Sequence, residues 1–179
     1  DLIDSGHSVP GGSLPTRSAD TINGNSGNDY IDGLGGADSI NAGAGNDTVV
    51  YYGGVKSNLQ GGSGRDVLIV NSTDVIDLSA SDQSEGLPVV SGFDDVDGRG
   101  ATVQLNIIGN ANNNNIWGGA GDDRIKGNGG NDRIDGGAGD DIVILDGNRD
   151  EYSFIRIDDN TWRAQDLRTS AGFRTRSEE

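Results

Sequence analysis

The feature that most constrains this chain is a nine-residue phrase that returns in strict register. Gly24-Asn25-Ser26-Gly27-Asn28-Asp29-Tyr30-Ile31-Asp32 is followed directly by copies at 33–41 and 42–50, and a half phrase, Asp20-Thr21-Ile22-Asn23, leads in. A second block runs through 109–117, 118–126, 127–135 and 136–144, and between the blocks 61–69 is a further copy with a worn one at 52–60, after a one-residue slip at Tyr51. A fixed short period of this kind calls for a solenoid, because each unit alone is too small to bury a core.

The columns of the repeat divide the labour. The sixth position holds Asp20, Asp29, Asp38, Asp47, Ser57, Asp66, Asn114, Asp123, Asp132 and Asp141, and the eighth is aliphatic in every copy, from Ile22 and Ile31 to Ile134 and Val143. Positions one and four are mostly glycine, which suits turn conformations that a Cβ disfavours. Positions seven to nine therefore read as a three-residue strand with one inward side chain, and positions one to six as a turn. Stacked copies would pair their strands at about 4.8 Å spacing and build a narrow aliphatic column. The column is thin, since Leu, Ile, Val and Phe together make only 40 of the 179 residues.

The turns carry the charge. The chain has 29 acidic against 13 basic residues, a formal net charge of −16, and 22 of the acids face 7 bases within residues 1–147. Such a surface repels nucleic-acid phosphate and anionic membranes and attracts cations. Carboxylates repeated on stacked turns repel one another unless a cation lies between them. Hard oxygen donors without Cys, and with His7 as the lone histidine, favour Ca²⁺ over Zn²⁺ or copper. The Asp122-Asp123 and Asp140-Asp141 pairs resemble catalytic carboxylates, but they recur with the repeat and are better explained as turns of the metal-binding pattern. The competing reading of the sixth-column aspartates is that they only shape turns.

The phrase G-G-x-G-x-D-x-aliphatic-x resembles the RTX (repeats-in-toxin, haemolysin-type) calcium-binding repeats over residues 19–69 and 109–144. The resemblance implies an all-β, right-handed parallel β-roll or β-solenoid in which one coil uses two repeats and Ca²⁺ sits between coils on the same edge. Carried over by position, this pairs Asp20 with Asp38, Asp29 with Asp47, Asp123 with Asp141 and Asn114 with Asp132, with Asp66 beside Asp47 or the worn copy at Ser57. Backbone carbonyls of Gly27, Asn28, Gly45, Asn46, Gly121, Asp122, Asn131, Gly139 and Asp140 would complete the shells, for about four ions. Neutral Asn114 predicts a weaker or missing ion.

Five segments follow: a loosely ordered leader at 1–18, the first block at 19–69, an insert with short strands at 70–108, the second block at 109–144, and capping strands with a tail at 145–179. The insert is expected to continue the solenoid with larger turns, two separate rolls being the alternative. In the last segment Tyr152-Ser153-Phe154-Ile155-Arg156-Ile157 and 161–167 alternate around a polar turn and predict a hairpin that closes the open end. The absence of Met and the opening at Asp1-Leu2-Ile3-Asp4 suggest a piece of a larger protein, and 169–179 carries no sign of the secretion signal found at the C-terminus of the family.

The functional expectation is a non-enzymatic calcium-binding module of a secreted or cell-surface bacterial protein, folding on Ca²⁺ outside the cell, supporting export and positioning attached domains. The second expectation is a Ca²⁺-stabilised carbohydrate- or surface-binding module, with Trp117 and Tyr30 as ligand-facing aromatics. A third is the repeat domain of an enzyme whose catalytic part lies elsewhere, since neither H-E-x-x-H nor G-x-S-x-G occurs here. No nucleic-acid partner is expected, and no apolar run approaches the roughly 20 residues of a membrane-spanning helix.

Overall fold

The computed structural model describes residues 2–3, 14–53, 57–79 and 88–146, together with the backbone of the strands at 152–156 and 162–166. Every element among them is a β-strand, and most are three residues long, as the repeat dictates. In chain order they are β1 (Leu2–Ile3), β2 (Thr21–Asn23), β3 (Tyr30–Asp32), β4 (Ser39–Ala44), β5 (Thr48–Tyr51), β6 (Asn58–Ser63), β7 (Val67–Val70) and β8 (Val75–Asp77). After these come β9 (Val89–Ser91), β10 (Asp95–Asp97), β11 (Asn106–Ile108), β12 (Asn115–Trp117), β13 (Arg124–Lys126), β14 (Arg133–Asp135), β15 (Ile142–Ile144), β16 (Tyr152–Arg156) and β17 (Trp162–Asp166).

Alternate strands go to alternate faces. One face is a single seven-stranded parallel sheet in the order β1-β3-β5-β7-β10-β12-β14, so it passes through both repeat blocks and the insert between them. Its register places Ile31 beside Val49, Val49 beside Leu68, Leu68 beside Val96 and Ile116 beside Ile134. Each coil therefore consumes two repeats, and eighth-position side chains stack directly on their counterparts. Leu2–Ile3, placed above in a loosely ordered leader, is the first strand of this sheet: Ile3 pairs with Ile31 and is buried, which extends the aliphatic column by one rung. Residues 4–13 of that leader and the tail from 167 onward lie outside the described residues.

The opposite face is split into two four-stranded parallel sheets, β2-β4-β6-β9 and β8-β11-β13-β15. The split has an unusual connectivity: β8 precedes β9 in the chain, yet β9 pairs back onto β6 while β8 pairs forward onto β11. The insert carries the same core through this exchange, with Ile76, Leu78, Val90, Phe93, Val96, Ala101 and Leu105 all buried. The strands β16 and β17 form the antiparallel hairpin read from the sequence, Phe154 opposite Ala164.

The turns stack as tightly as the strands. Gly45 has φ +139, and a Cβ there would collide with the Gly27 carbonyl oxygen of the preceding coil. Glycine at the fourth position is thus required by both conformation and proximity.

Candidate metal centre along the solenoid edges

Two edges join the faces, and each carries a column of sixth-position side chains. On the first edge, entered from β2, β4, β6, β9, β11 and β13, the column reads Asp29, Asp47, Asp66, Asp94, Asn114 and Asp132. Each step except that from Asp94 to Asn114 is made by a carboxylate that reaches back one coil. Asp29 N–H donates to Asp47 Oδ1 at 2.8 Å, Asp47 N–H to Asp66 Oδ1 at 2.8 Å, Asp66 N–H to Asp94 Oδ2 at 3.0 Å and Asn114 N–H to Asp132 Oδ1 at 3.0 Å. On the second edge Asp20 N–H donates to Asp38 Oδ1 at 3.0 Å and Asp123 N–H to Asp141 Oδ1 at 2.9 Å. All four pairs placed together by position in the sequence are therefore neighbours in space.

Five of these carboxylates are buried and the rest are half-buried. Asp29, Asp38, Asp47, Asp66 and Asp123 are each at most 6% exposed. One oxygen of each of Asp47, Asp66, Asp94 and Asp132 accepts a backbone N–H of the preceding coil, and the second oxygens of Asp47 and Asp66 are buried without any hydrogen-bond donor. An anionic oxygen in that condition is costly unless a cation completes its surroundings. Burial, reinforced by the neighbouring carboxylates, pushes the Asp38, Asp66 and Asp141 carboxyls above the usual range, against the opposing pull of the N–H groups they accept. The like charges are Asp20 and Asp32 for Asp38, Asp47 and Asp94 for Asp66, and Asp122, Asp123 and Asp135 for Asp141.

Among the described residues no group of three or more acidic or histidine side chains converges on one point. A divalent ion on an edge would therefore draw on one or two carboxylates and fill its shell with backbone carbonyls, a donor set of hard oxygens that fits Ca²⁺. The Gly27 and Gly45 carbonyls, expected to be donors, do lie against the next coil, facing Gly45 and Gly64, and the Gly121 carbonyl faces Gly139. Position one is glycine for a related reason: in the repeats at 118–123, 127–132 and 136–141 a Cβ on Gly118, Gly127 or Gly136 would strike the Oδ2 of Asp123, Asp132 or Asp141.

Three features escaped the sequence reading. Asp94 occupies a sixth position inside the insert, and the signal was present in Asp94-Asp95-Val96, an acid two residues before a buried aliphatic. The second edge is interrupted at its middle, where Leu105 takes the sixth position and is fully buried in place of an acid; its N–H donates to Asp123 Oδ1 at 2.8 Å. Finally, position five forms a ladder of opposite sense through its side chains. Asn28 Oδ1 accepts Asn46 N–H at 2.8 Å, Asn46 Oδ1 accepts Arg65 N–H at 2.9 Å, Asn113 Oδ1 accepts Asn131 N–H at 2.7 Å and Asp122 Oδ1 accepts Asp140 N–H at 2.9 Å.

The two aromatics singled out as ligand-facing have different settings. Tyr30 is 41% exposed on the outside of β3. Trp117 is half-buried, and the Arg99 guanidinium lies over its ring at 5.0 Å while forming an ion pair with Asp97 at 2.6 Å. One face of the indole is thereby occupied.

Residues 16–49 and 108–143 match the RTX calcium-binding nonapeptide repeat, in four copies. No curated protein and no solved structure matches the chain. The repeat columns and the two-repeat coil agree with this match: the parallel β-solenoid contains, at residues 16–49 and 108–143, nonapeptide repeats of the RTX calcium-binding type.

Proposed function

We propose that this chain is a non-enzymatic, calcium-responsive module of a secreted bacterial protein, whose coils close fully only when Ca²⁺ neutralises the edge carboxylates. The observation that carries the reading is the pair of buried, donor-less oxygens on Asp47 and Asp66 within an unbroken acidic ladder. Asp29, Asp47 and Asp66 on the first edge, Asp20 with Asp38, and Asp123 with Asp141 on the second, would hold the ions, with Asp132 contributing beside neutral Asn114.

The energetics suit a switch. Extracellular calcium modules bind at about 10⁻⁴ to 10⁻³ M, and at ten times Kd each site adds about 1.4 kcal/mol to the folded state. About four such sites would contribute about 6 kcal/mol, comparable with the whole stability of a small domain. At low calcium the repelling edges and thin core leave the repeat blocks open, a state suited to passage through an export channel; at high calcium the solenoid becomes a rod that positions whatever is attached to it.

The test is far-UV circular dichroism of the chain in chelator, titrated with Ca²⁺ and separately with Mg²⁺. A cooperative gain of β structure with Ca²⁺ and not Mg²⁺ is expected. A spectrum unchanged by Ca²⁺, with β structure complete in chelator, would reduce the aspartates to turn formers and remove the reading.

A further inference from the structure

The edge ladder changes chemistry at one place, the junction between the two repeat blocks. From Asp29 to Asp94 each step on the first edge sets carboxylate above carboxylate. At the next step the sixth position is Asn114, and its amide nitrogen donates to the Asp94 carbonyl oxygen at 2.6 Å. Its orientation is fixed from the other side, since Asn114 Oδ1 accepts the Asn110 N–H at 3.0 Å. Asn110, on the same turn as Asn114, meets the preceding carbonyl of the facing turn: its amide nitrogen donates to the Phe93 carbonyl at 3.0 Å. Two adjacent turn carbonyls are thus met by side-chain N–H donors.

A permanent cation stands beside them. Arg65, at position five of the coil below, sends Nε to Asp95 Oδ2 at 3.0 Å and Nη2 to Asp95 Oδ1 at 2.6 Å, and the same Nη2 reaches the Asn113 carbonyl at 3.3 Å. Asp95 also accepts Asn115 N–H at 2.6 Å and the Asn115 amide at 3.2 Å. One guanidinium and one carboxylate therefore tie three successive coils, those of β7, β10 and β12. The fork geometry is the strong, bidentate form of an ion pair, with the Asp95 side chain only 7% exposed.

We infer that Arg65, Asn110 and Asn114 take the place of the divalent ion at this junction: they determine where along the edge calcium does not bind, and they hold the middle of the solenoid together when calcium is absent. The inference rests on the calcium reading above. Its chemistry is simple. A divalent ion and an N–H donor compete for the same carbonyl oxygens, and a guanidinium neutralises an edge carboxylate without needing any ligand from solution. The repeat blocks on either side depend on calcium; the joint between them does not.

The experiment is residue-resolved hydrogen exchange on the full chain in chelator and in saturating Ca²⁺, with calcium counted by titration calorimetry, for the parent chain, Arg65→Ala and Asn114→Asp. In chelator the amides of β7, β10 and β12 are expected to exchange about tenfold more slowly than those of β3 and β13. Arg65→Ala should erase that difference in chelator while binding at least as many ions as the parent in calcium, where its circular dichroism shows that it folds. Asn114→Asp should bind one more ion than the parent. Uniform exchange along the sheet in chelator with calcium uptake intact, or an unchanged ion count in Asn114→Asp, would overturn the joint and leave the calcium reading standing. A chain that takes up no calcium yet keeps Arg65-dependent protection would overturn the calcium reading instead.

Discussion

The Asp47 carboxylate accepts the backbone N–H of Asp29 from the coil before its own, at 2.8 Å, and its other oxygen is buried without a donor. One side chain thus performs two tasks, an inter-coil hydrogen bond through Oδ1 and a charge presented to the edge through Oδ2. The two tasks can be separated by substitution.

Asp47→Asn keeps an oxygen for the Asp29 N–H and removes the charge, so in saturating calcium it should lose ions from the first edge with little effect beyond that loss. Asp47→Ala removes both, and withdrawing the acceptor from a buried N–H should cost a further ~1–3 kcal/mol. Calorimetric ion counts and denaturant unfolding of the two variants check the difference; equal stabilities would show that the hydrogen bond contributes nothing.

Acid should favour the calcium-free fold. Asp38, Asp66 and Asp141 have carboxyls raised by burial and by their acidic neighbours, so the folded chain binds protons more tightly than the unfolded one. Their contribution is present in full below the ordinary carboxylate pKa of about 4 and is lost as pH rises through the raised folded values. Asp97, lowered chiefly by its hydrogen bond to Arg99, has the opposite sign and loses its contribution as pH falls through its folded value. Three groups against one predict that β structure in chelator increases as pH is lowered from about 7 to about 5. With calcium present the same change should weaken binding, because protons compete with the ion for the carboxylates. Circular dichroism against pH, with and without chelator, reads both signs.

Gly45→Ala should be among the most damaging single changes. It places a Cβ against the Gly27 carbonyl and imposes a side chain on φ +139. Loss of the cooperative calcium transition in the first block is expected, whereas Gly100→Ala, with nothing near its Cβ position, should behave as the parent. A normal transition in Gly45→Ala would contradict the tight stacking of the turns.

Leu68 is fully buried between Val49 and Val96 at the centre of the continuous sheet. Leu68→Ala should cost about 2–5 kcal/mol in calcium by removing contacts and opening a cavity. In a core one side chain wide per face, little is available to collapse into the gap, so the upper half of that range is expected from denaturant unfolding.

Much of this architecture was legible in the sequence because position eight and position six repeat with the same period: Ile31, Val49 and Leu68 announce the column, and Asp29, Asp47 and Asp66 the ladder beside it. What the period could not reveal is where the period itself is absent. Asp94 belongs to the ladder although its turn, Gly92-Phe93-Asp94, is three residues shorter than the six of a repeat, so counting in nines misses it. The opposing position-five ladder was hidden for another reason: Asn28 and Asn46 stand in a column that also holds Ala37 and Arg65, and a mixed column gives no compositional signal. The fate of β8 and β9 depends on packing of Leu78, Phe93 and Leu105 around the insert, which is tertiary information that no local pattern contains.

The exchange of β8 and β9 bears on the order in which the chain can be assembled. A solenoid wound from its first coil can lay each new strand on one already in place until β8 arrives, whose partner β11 has yet to be added; wound from its last coil, it meets the same obstacle at β9, whose partner β6 is still missing. Neither direction of winding can therefore run through the molecule without leaving one strand waiting. A one-way zipper must pause there, and the two halves have to meet before the opposite face can close.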